Sequence, residues 1–364
     1  MIRRIARSNP AVRIVVTGCY ATRRPGEVAA LPNVVRVVDN AGKDAIVDVL
    51  AEDVGLSTAE RFGDGDGPCG HVLTPGTAGR TALTLRVQTG CDEACSYCII
   101  PSTRGVGRSQ PLEHVIRDVQ RAVDAGYKEI AITGVHLGSY GRDLAGSSSL
   151  AVLVQRLNDW PADVLFRVSS LEPMDCSQEL IEAVASSQRI APHFHLPLQH
   201  GSDGMLRAMR RPYTVSYYRR LVDRIKTVLP HASIGSDIIV GFPGETASHF
   251  AEMRKVLEQL PLTHLHVFPY SDRSGTDASR LSQKVHGRDV RERGREARAI
   301  GELMSKKFRK SQVGRILRGL SVDDGRSVVT GNYLKLRLDR QQQRNEWVSV
   351  RVEEDRKATV SRDL

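Results

Sequence analysis

From Thr84 onward, apolar runs of strand length alternate with amphipathic stretches of helix length. Such alternation calls for a parallel sheet. The strand-like runs are Thr84–Gln88, Glu129–Thr133, Val164–Ser169, His193–Leu198, Ser233–Val240 and Thr263–Phe268. Between them, Leu112–Ala125 carries Val115, Ile116, Val119, Ala122 and Val123 on one helical stripe, and Ser216–Leu229 is patterned in the same way. Six βα units in succession, joined by right-handed crossovers, predict an α/β chain curled into a full or partial barrel.

The loops after these strands are more telling than the strands themselves. In order they read TGCDEACSYCIIP, TGVHLGSY, SSLEP, QHGS, GFPGET and YSDRSGT, all rich in Gly, polar and charged residues. In a parallel α/β barrel these loops share one rim, where chemistry is placed.

The flanks differ. Ala11–Cys19 is a buried-type strand running into a cysteine, Val34–Val38 is a second, and Lys43–Ala51 reads as a helix. Residues 1–62 thus form a small α/β element, and residues 63–79, with GDGDGP and TPG, form a linker in which Cys69 is a bystander. The barrel spans 80–283, a basic helical connection 284–310, and a small β-barrel 311–364, with strands expected at Ile316–Leu320, Ser327–Leu338 and Trp347–Val352.

Charge adds a partner. The net charge is +10, and Arg280–Leu364 alone holds 22 Lys and Arg against 12 Asp and Glu, so the rest of the chain is neutral. This is either a solvated basic face or a surface for a polyanion. Arg315, Arg318, Lys335, Arg337 and Arg340, with Tyr333 and Trp347, make a candidate RNA-contacting surface of cations and stacking rings; the same strands could equally serve as scaffold.

The cysteines carry the chemistry. Three of the six, Cys91, Cys95 and Cys98, fall within eight residues, which reads as metal in a reducing compartment rather than a disulfide framework. No apolar run is long enough to span a bilayer and the N-terminus lacks a signal-peptide stretch, so a cytoplasmic protein is expected. Three thiolates are one too few for a closed zinc or cubane site. A cubane held by three leaves one iron open to a chelating small molecule. The other readings are a zinc knuckle with a distant ligand such as His71, or three surface thiols.

Cys91-Asp-Glu-Ala-Cys95-Ser-Tyr97-Cys98, with an aromatic residue before its third cysteine, resembles the radical S-adenosylmethionine enzymes. With Ile99–Gly105, TGVHLGSYG, SSLEP, HLPLQHGSD, VGFPGET and FPYSDRSGT, the chain resembles their methylthiotransferase family. Thr17-Gly18-Cys19-Tyr20-Ala21 and Thr330-Gly331-Asn332-Tyr333 resemble that family's first domain and its TRAM-like RNA-binding β-barrel. The first of these and GVHLGSYG are most similar to the branch acting on N6-threonylcarbamoyladenosine; sister branches act on isopentenyladenosine in tRNA or on a ribosomal protein aspartate.

The resemblance implies roles. Cys91, Cys95 and Cys98 would bind a [4Fe–4S] cluster whose fourth iron takes S-adenosylmethionine, and a passed electron would yield a 5′-deoxyadenosyl radical. Tyr97 would pack near the adenine, Gly134 would let backbone approach the methionine, Glu172 would contact ribose or amine unless it caps a helix or pairs with Arg104, and Gln199 would add a polar contact. The reaction implied is C2-methylthiolation of the modified adenosine at position 37, beside the anticodon of tRNA, with a reductant such as flavodoxin or ferredoxin and a sulfur source as partners. No membrane partner is implied, and no side chain is singled out as the catalytic acid or base.

The family also uses an auxiliary [4Fe–4S] cluster held by three separated cysteines. Cys19 matches the third, and the first two would precede Met1. A truncated first domain is therefore expected, with Arg3–Pro10 as the end of a cut helix and Val12–Val16 short of sheet neighbours. The alternatives are a protein that cleaves S-adenosylmethionine but cannot thiolate, or a non-catalytic zinc-containing RNA-binding protein.

Overall fold

The computed structural model describes residues 1–46, 50, 74–76, 80–146 and 148–361. Residues 47–49 and 51 of the expected helix at 43–51, most of the linker at 63–79, Cys69 and His71 lie outside them. The chain divides into two compact units, Met1–Leu73 with Gly90–Glu93 and Ile99–Val106, and Thr74–Thr89 with Ala94–Cys98 and Gly107–Leu364. The expected barrel, apart from Gly90–Glu93 and Ile99–Val106, falls with the basic helix and the tail in the second unit.

In the first unit, β1 (Ile14–Thr17) pairs in parallel with β2 (Val34–Val38), so the first strand does have a sheet neighbour. Gly18 leaves β1 at φ +113° and Cys19 opens a short helix, Cys19–Arg23.

The second unit holds the parallel strands β3 (Leu83–Arg86), β6 (Glu129–Thr133), β7 (Leu165–Val168), β8 (His193–His195), β9 (Ser233–Val240) and β10 (His264–Pro269). A short antiparallel pair, β4 (Gln88–Thr89) and β5 (Arg108–Ser109), is set between the first two. Two three-stranded sheets, β3-β6-β7 and β8-β9-β10, are linked by the parallel bridges Phe166↔Ile190 and Ser170↔His195. The result is the partial barrel that the alternating pattern predicts. β6 and β9 match their apolar runs, whereas β3, β7 and β8 stop short of the ends of theirs, where the last residues turn into the rim loops.

The crossover helices start where their caps dictate. Ser149, Ser177 and Thr214 accept hydrogen bonds from Val152, Leu180 and Tyr217 backbone N–H groups, and Thr246 with His249 forms a reciprocal capping box. Their apolar stripes, including Val115 and Val119, Leu153 and Leu157, Leu221 and Ile225, and Met253 and Leu257, are buried. No described helix is long and apolar enough to cross a membrane.

Helix Gly287–Gln312 leads to a closed barrel in the order β11 (Ile316–Val322), β12 (Ser327–Thr330), β13 (Lys335–Leu338), β15 (Lys357–Val360), β14 (Trp347–Val352). Two expectations change here. Ser327–Leu338 is not one run, because Tyr333 takes a left-handed conformation (φ +65°) and Thr330 hydroxyl accepts from Leu334 N–H at 3.0 Å, turning the chain between β12 and β13. The closing strand Lys357–Val360 is an addition to the expected set, its apolar content of Ala358 and Val360 being too slight to mark it in the sequence.

This small barrel sits on the amino-terminal ends of the parallel strands. Arg167 Nε donates to Glu129 at 3.0 Å, its Nη1 donates to Gly331 carbonyl at 2.9 Å, and its guanidinium lies 4.8 Å over the Tyr333 ring. Lys128 pairs with Glu346 at 2.6 Å, Asn345 donates to Gly126 carbonyl at 2.8 Å, and Asn332 donates to His231 carbonyl at 3.1 Å.

Candidate active site

The cysteine triplet lies on the loop after β4. Gly90, at φ +73°, passes so close to the returning chain that a Cβ there would meet the Val106 carbonyl oxygen at 1.8 Å; only glycine fits. Cys91 N–H donates to Gly105 carbonyl at 3.1 Å, holding the neck of the loop. Further along, Ser96 is buried and bound three ways: its N–H to Met209 carbonyl (3.2 Å), its hydroxyl to Ala208 carbonyl (2.8 Å), and its carbonyl from Ala278 N–H (2.8 Å). Cys98 N–H donates to Cys95 carbonyl at 3.1 Å, so the last two thiols flank a fixed turn.

Arg211 organises the sulfur side of this turn, and no sequence motif singles it out. Its side chain is 1% exposed; Nη1 donates to Cys95 Sγ at 2.8 Å, Nη2 pairs with the Glu172 carboxylate, and Nε donates to Tyr213 hydroxyl at 3.2 Å. A buried guanidinium is tolerated only with anionic or polar partners. Burial pushes the Tyr213 phenol up to about 12, so it stays protonated and donates onward to Pro197 carbonyl at 2.9 Å. The one cue is a second arginine in Arg210-Arg211-Pro212, where Arg210 is exposed and Arg211 is buried.

The remaining sequence-predicted residues find definite places. Glu172 pairs with Arg211, and it makes no side-chain cap. Tyr97 packs against the cluster of Met205, Met209, Phe242 and Ala278, with Ile239 and Tyr270 beside it, and burial pushes its hydroxyl well above the ordinary tyrosine value. At Gly134 a Cβ would meet Gln88 Oε1 at 3.0 Å, so the glycine there makes room for a buried glutamine that accepts from His136 N–H at 2.9 Å. Gln199 is left-handed (φ +66°); its N–H donates to Asp237 carbonyl and its carbonyl accepts from Ile239 N–H, which pins the loop after β8 to β9. Beneath it, His200 and Glu245 meet at 3.4 Å, both fully buried, with Arg293 at 2.6 Å from Glu245.

In the first unit, burial opposes ionisation of Cys19, but the Asn40 amide at 3.5 Å and the Arg104 guanidinium draw its thiol below the ordinary value. In the tail, Arg315 pairs with His231, Arg318 with Asp163 and, at 4.1 Å, over the Trp347 ring, and Lys335 with Asp323 at 2.8 Å. Tyr333 lies against Arg167 and His193. Arg337 is exposed.

A family profile described as the Radical SAM superfamily matches residues 85–257. The chain is 36% identical over 321 residues to the threonylcarbamoyladenosine tRNA methylthiotransferase MtaB of Bacillus subtilis, covering 85% of this chain and 69% of that protein. The chain belongs to the MtaB branch of the radical S-adenosylmethionine methylthiotransferases.

The protein of the same name from Aquifex aeolicus is 35% identical, with 92% of this chain and 81% of that one covered. Among solved structures, the radical S-adenosylmethionine methyltransferase TsrM of Kitasatospora setae shares the fold at a TM-score of 0.57 and 15% identity, over 76% of this chain and 59% of its own. As a member of this enzyme family, this methylthiotransferase uses a [4Fe–4S] cluster and S-adenosylmethionine. Membership in an enzyme family replaces the reading as a non-catalytic zinc protein.

Proposed function

We propose that the chain is a threonylcarbamoyladenosine tRNA methylthiotransferase in which Cys91, Cys95 and Cys98 hold the radical-generating cluster. The donor set fits: three thiols at Cys-x3-Cys-x2-Cys spacing on one loop, with the Ser96 anchors fixing the turn between the last two and Arg211 donating to Cys95 Sγ at 2.8 Å. That last contact carries the reading, because a buried cation set on a cysteine sulfur suits a thiolate ligand and not a core thiol. The cluster, when bound, supplies an electron that cleaves S-adenosylmethionine at its sulfonium.

The protein's own residues position. Glu172, held by Arg211, keeps one carboxylate edge for an amine or hydroxyl of the cofactor. Gln199, pinned to β9, offers a side-chain amide on the same rim. Tyr97 contributes a packed ring beneath the loop, and Gly134 a close backbone. Arg337 and Lys335 on β13 are the tail's candidate contacts to tRNA, supported by the excess of positive charge at that end, whereas Arg315, Arg318 and Tyr333 are engaged by His231, Asp163 and Arg167. Cys19, with its acidified thiol, is the candidate ligand to an auxiliary cluster.

A second reading, cleavage of S-adenosylmethionine without sulfur insertion, is favoured by one fact. Among the described cysteines outside the triplet, Cys176 is buried and its thiol is pushed up to about 12, which disfavours a thiolate ligand there. Anaerobic reconstitution with iron and sulfide, followed by S-adenosylmethionine cleavage and mass spectrometry of tRNA nucleosides from a complemented deletion strain, tests both. Four irons, cleavage and recovered 2-methylthio nucleoside support the first reading, and cleavage alone the second. Absence of both iron and cleavage overturns the assignment of the triplet.

A further inference from the structure

Three strands of the barrel present a polar group to one place that neither packing nor the rim loops require. His195 on β8, Asp237 on β9 and His266 on β10 lie side by side, with His195 Nε2 3.0 Å and His266 Nδ1 3.1 Å from the same Asp237 Oδ1. Ser170, next to the β7 end, meets His195 Nδ1 at 3.0 Å. Burial thins across the group: the side chains of His195, Asp237 and His266 are 15%, 24% and 57% exposed.

The group faces the interior of the curled sheet. On β10 the exposed His266 and Phe268 share one face, whereas Leu265 of the opposite face packs where a Cβ on Gly301 of the long helix would touch it at 3.0 Å. Phe268 is itself 49% exposed, a large ring left uncovered on a core strand. The face is continuous with the proposed cofactor rim. Gln199 N–H binds the Asp237 backbone, Ser170 stands two residues before Glu172, and Ile239, two residues beyond Asp237, packs beside Tyr97.

We infer that His195, Asp237 and His266 seat the polar N6 substituent of the target adenosine, with Phe268 as a shelf for the base. The inference rests on the reading under Proposed function. A threonylcarbamoyl group offers ureido N–H donors, a hydroxyl and a carboxylate. Asp237 accepts from the N–H groups through its second carboxylate oxygen, and His266, whose Nδ1 faces Asp237, donates to an oxygen from Nε2, while His195, held between Asp237 and Ser170, fixes the carboxylate in place. An isopentenyl group has none of these, and bringing it here would desolvate the second carboxylate oxygen of Asp237 and the Nε2 of His266 with nothing to pair them. Sites built on such polar groups reject the apolar analogue strongly. The seat therefore discriminates between the substrates of sister branches from inside the barrel, without help from the tail.

The test uses the full chain and synthetic anticodon stem-loops carrying threonylcarbamoyladenosine, isopentenyladenosine or plain adenosine, with fluorescence anisotropy for binding. Wild type is expected to favour the threonylcarbamoyl stem-loop at least tenfold. Asp237→Asn and His266→Phe are expected to reduce that preference to about twofold or less, and Phe268→Leu to weaken all modified and unmodified stem-loops alike. Iron content and substrate-free cleavage of S-adenosylmethionine, unchanged in all three, show that fold and cluster survive. Unaltered preference in Asp237→Asn and His266→Phe overturns the inference and leaves the proposed function intact; a wild-type preference for isopentenyladenosine overturns the proposed function itself. Stoichiometric cobalt(II) binding that Asp237→Asn abolishes also overturns the inference, since the seat would then be a cation site.

Discussion

The two ends of the parallel barrel use arginine in opposite ways. At the carboxyl ends of the strands, Arg211 is sealed in and spends its donors on Cys95, Glu172 and Tyr213, all of them groups of the rim. At the amino ends, Arg167, Arg315 and Arg318 fasten the small barrel, through Glu129, Gly331, His231 and Asp163. A basic tail is thus only partly a field for a polyanion. Part of its charge excess is structural and already neutralised by the floor of the larger barrel.

The contrast is sharpest if the two ends can be damaged separately. Cys95→Ala is expected to remove the cluster, with iron content and visible absorption falling to background and S-adenosylmethionine cleavage falling by about 10³-fold or more, while thermal unfolding of the apoprotein moves little. Next in size, Arg167→Met leaves Glu129 buried and unpaired, a loss of about 3–5 kcal/mol by the usual cost of breaking a buried pair. Denaturant melts should show it, with iron loading per folded chain unchanged. Arg211→Met should act on the other end, lowering cluster affinity or cleavage by about 10–100-fold, the range for a group that orients a metal ligand. Should Arg211→Met melt like Arg167→Met and load iron normally, the division between the two ends fails.

A smaller effect is expected with pH. Burial, then the charges of His266 and His195, holds the His264 imidazole down to about 4 in the folded protein, against 6.5 for the free group. The unfolded chain therefore binds the extra proton first. Stability should be complete above about pH 6.5 and decline as pH falls toward 4, by up to about 3 kcal/mol for this group alone. His264→Gln should flatten that part of the stability profile; an unchanged slope would assign the acid sensitivity elsewhere.

Legibility in the sequence depended on whether a signal was local. The βα alternation, the rim loops and the cysteine triplet are patterns within a few residues of one another, and each was legible. Arg211 was not, because its role exists only where residues 95, 172 and 211 converge. The same holds for His195, Asp237 and His266, contributed by three strands. In the tail, composition could count cations but not say which already had partners, so Arg315 and Arg318 looked as available as Arg337. The turn that splits Ser327–Leu338 was hidden by a tyrosine in a left-handed conformation, where Gly331 or Asn332 would have been the expected hinge.

The fastening of the small barrel also sets a timetable. Arg167 finds its partners at Thr330 and Gly331, some 163 residues later in the chain. At synthesis rates of about 5–20 residues per second, the floor of the larger barrel stays open for roughly 10–30 s after β7 has left the ribosome. During that interval His193 and Arg167 have water where Tyr333 will later stand. The floor of the larger barrel is covered only once residues 330–333 are made, so a nonsense mutation upstream of them would uncover Arg167 and His193 as well as remove the tail.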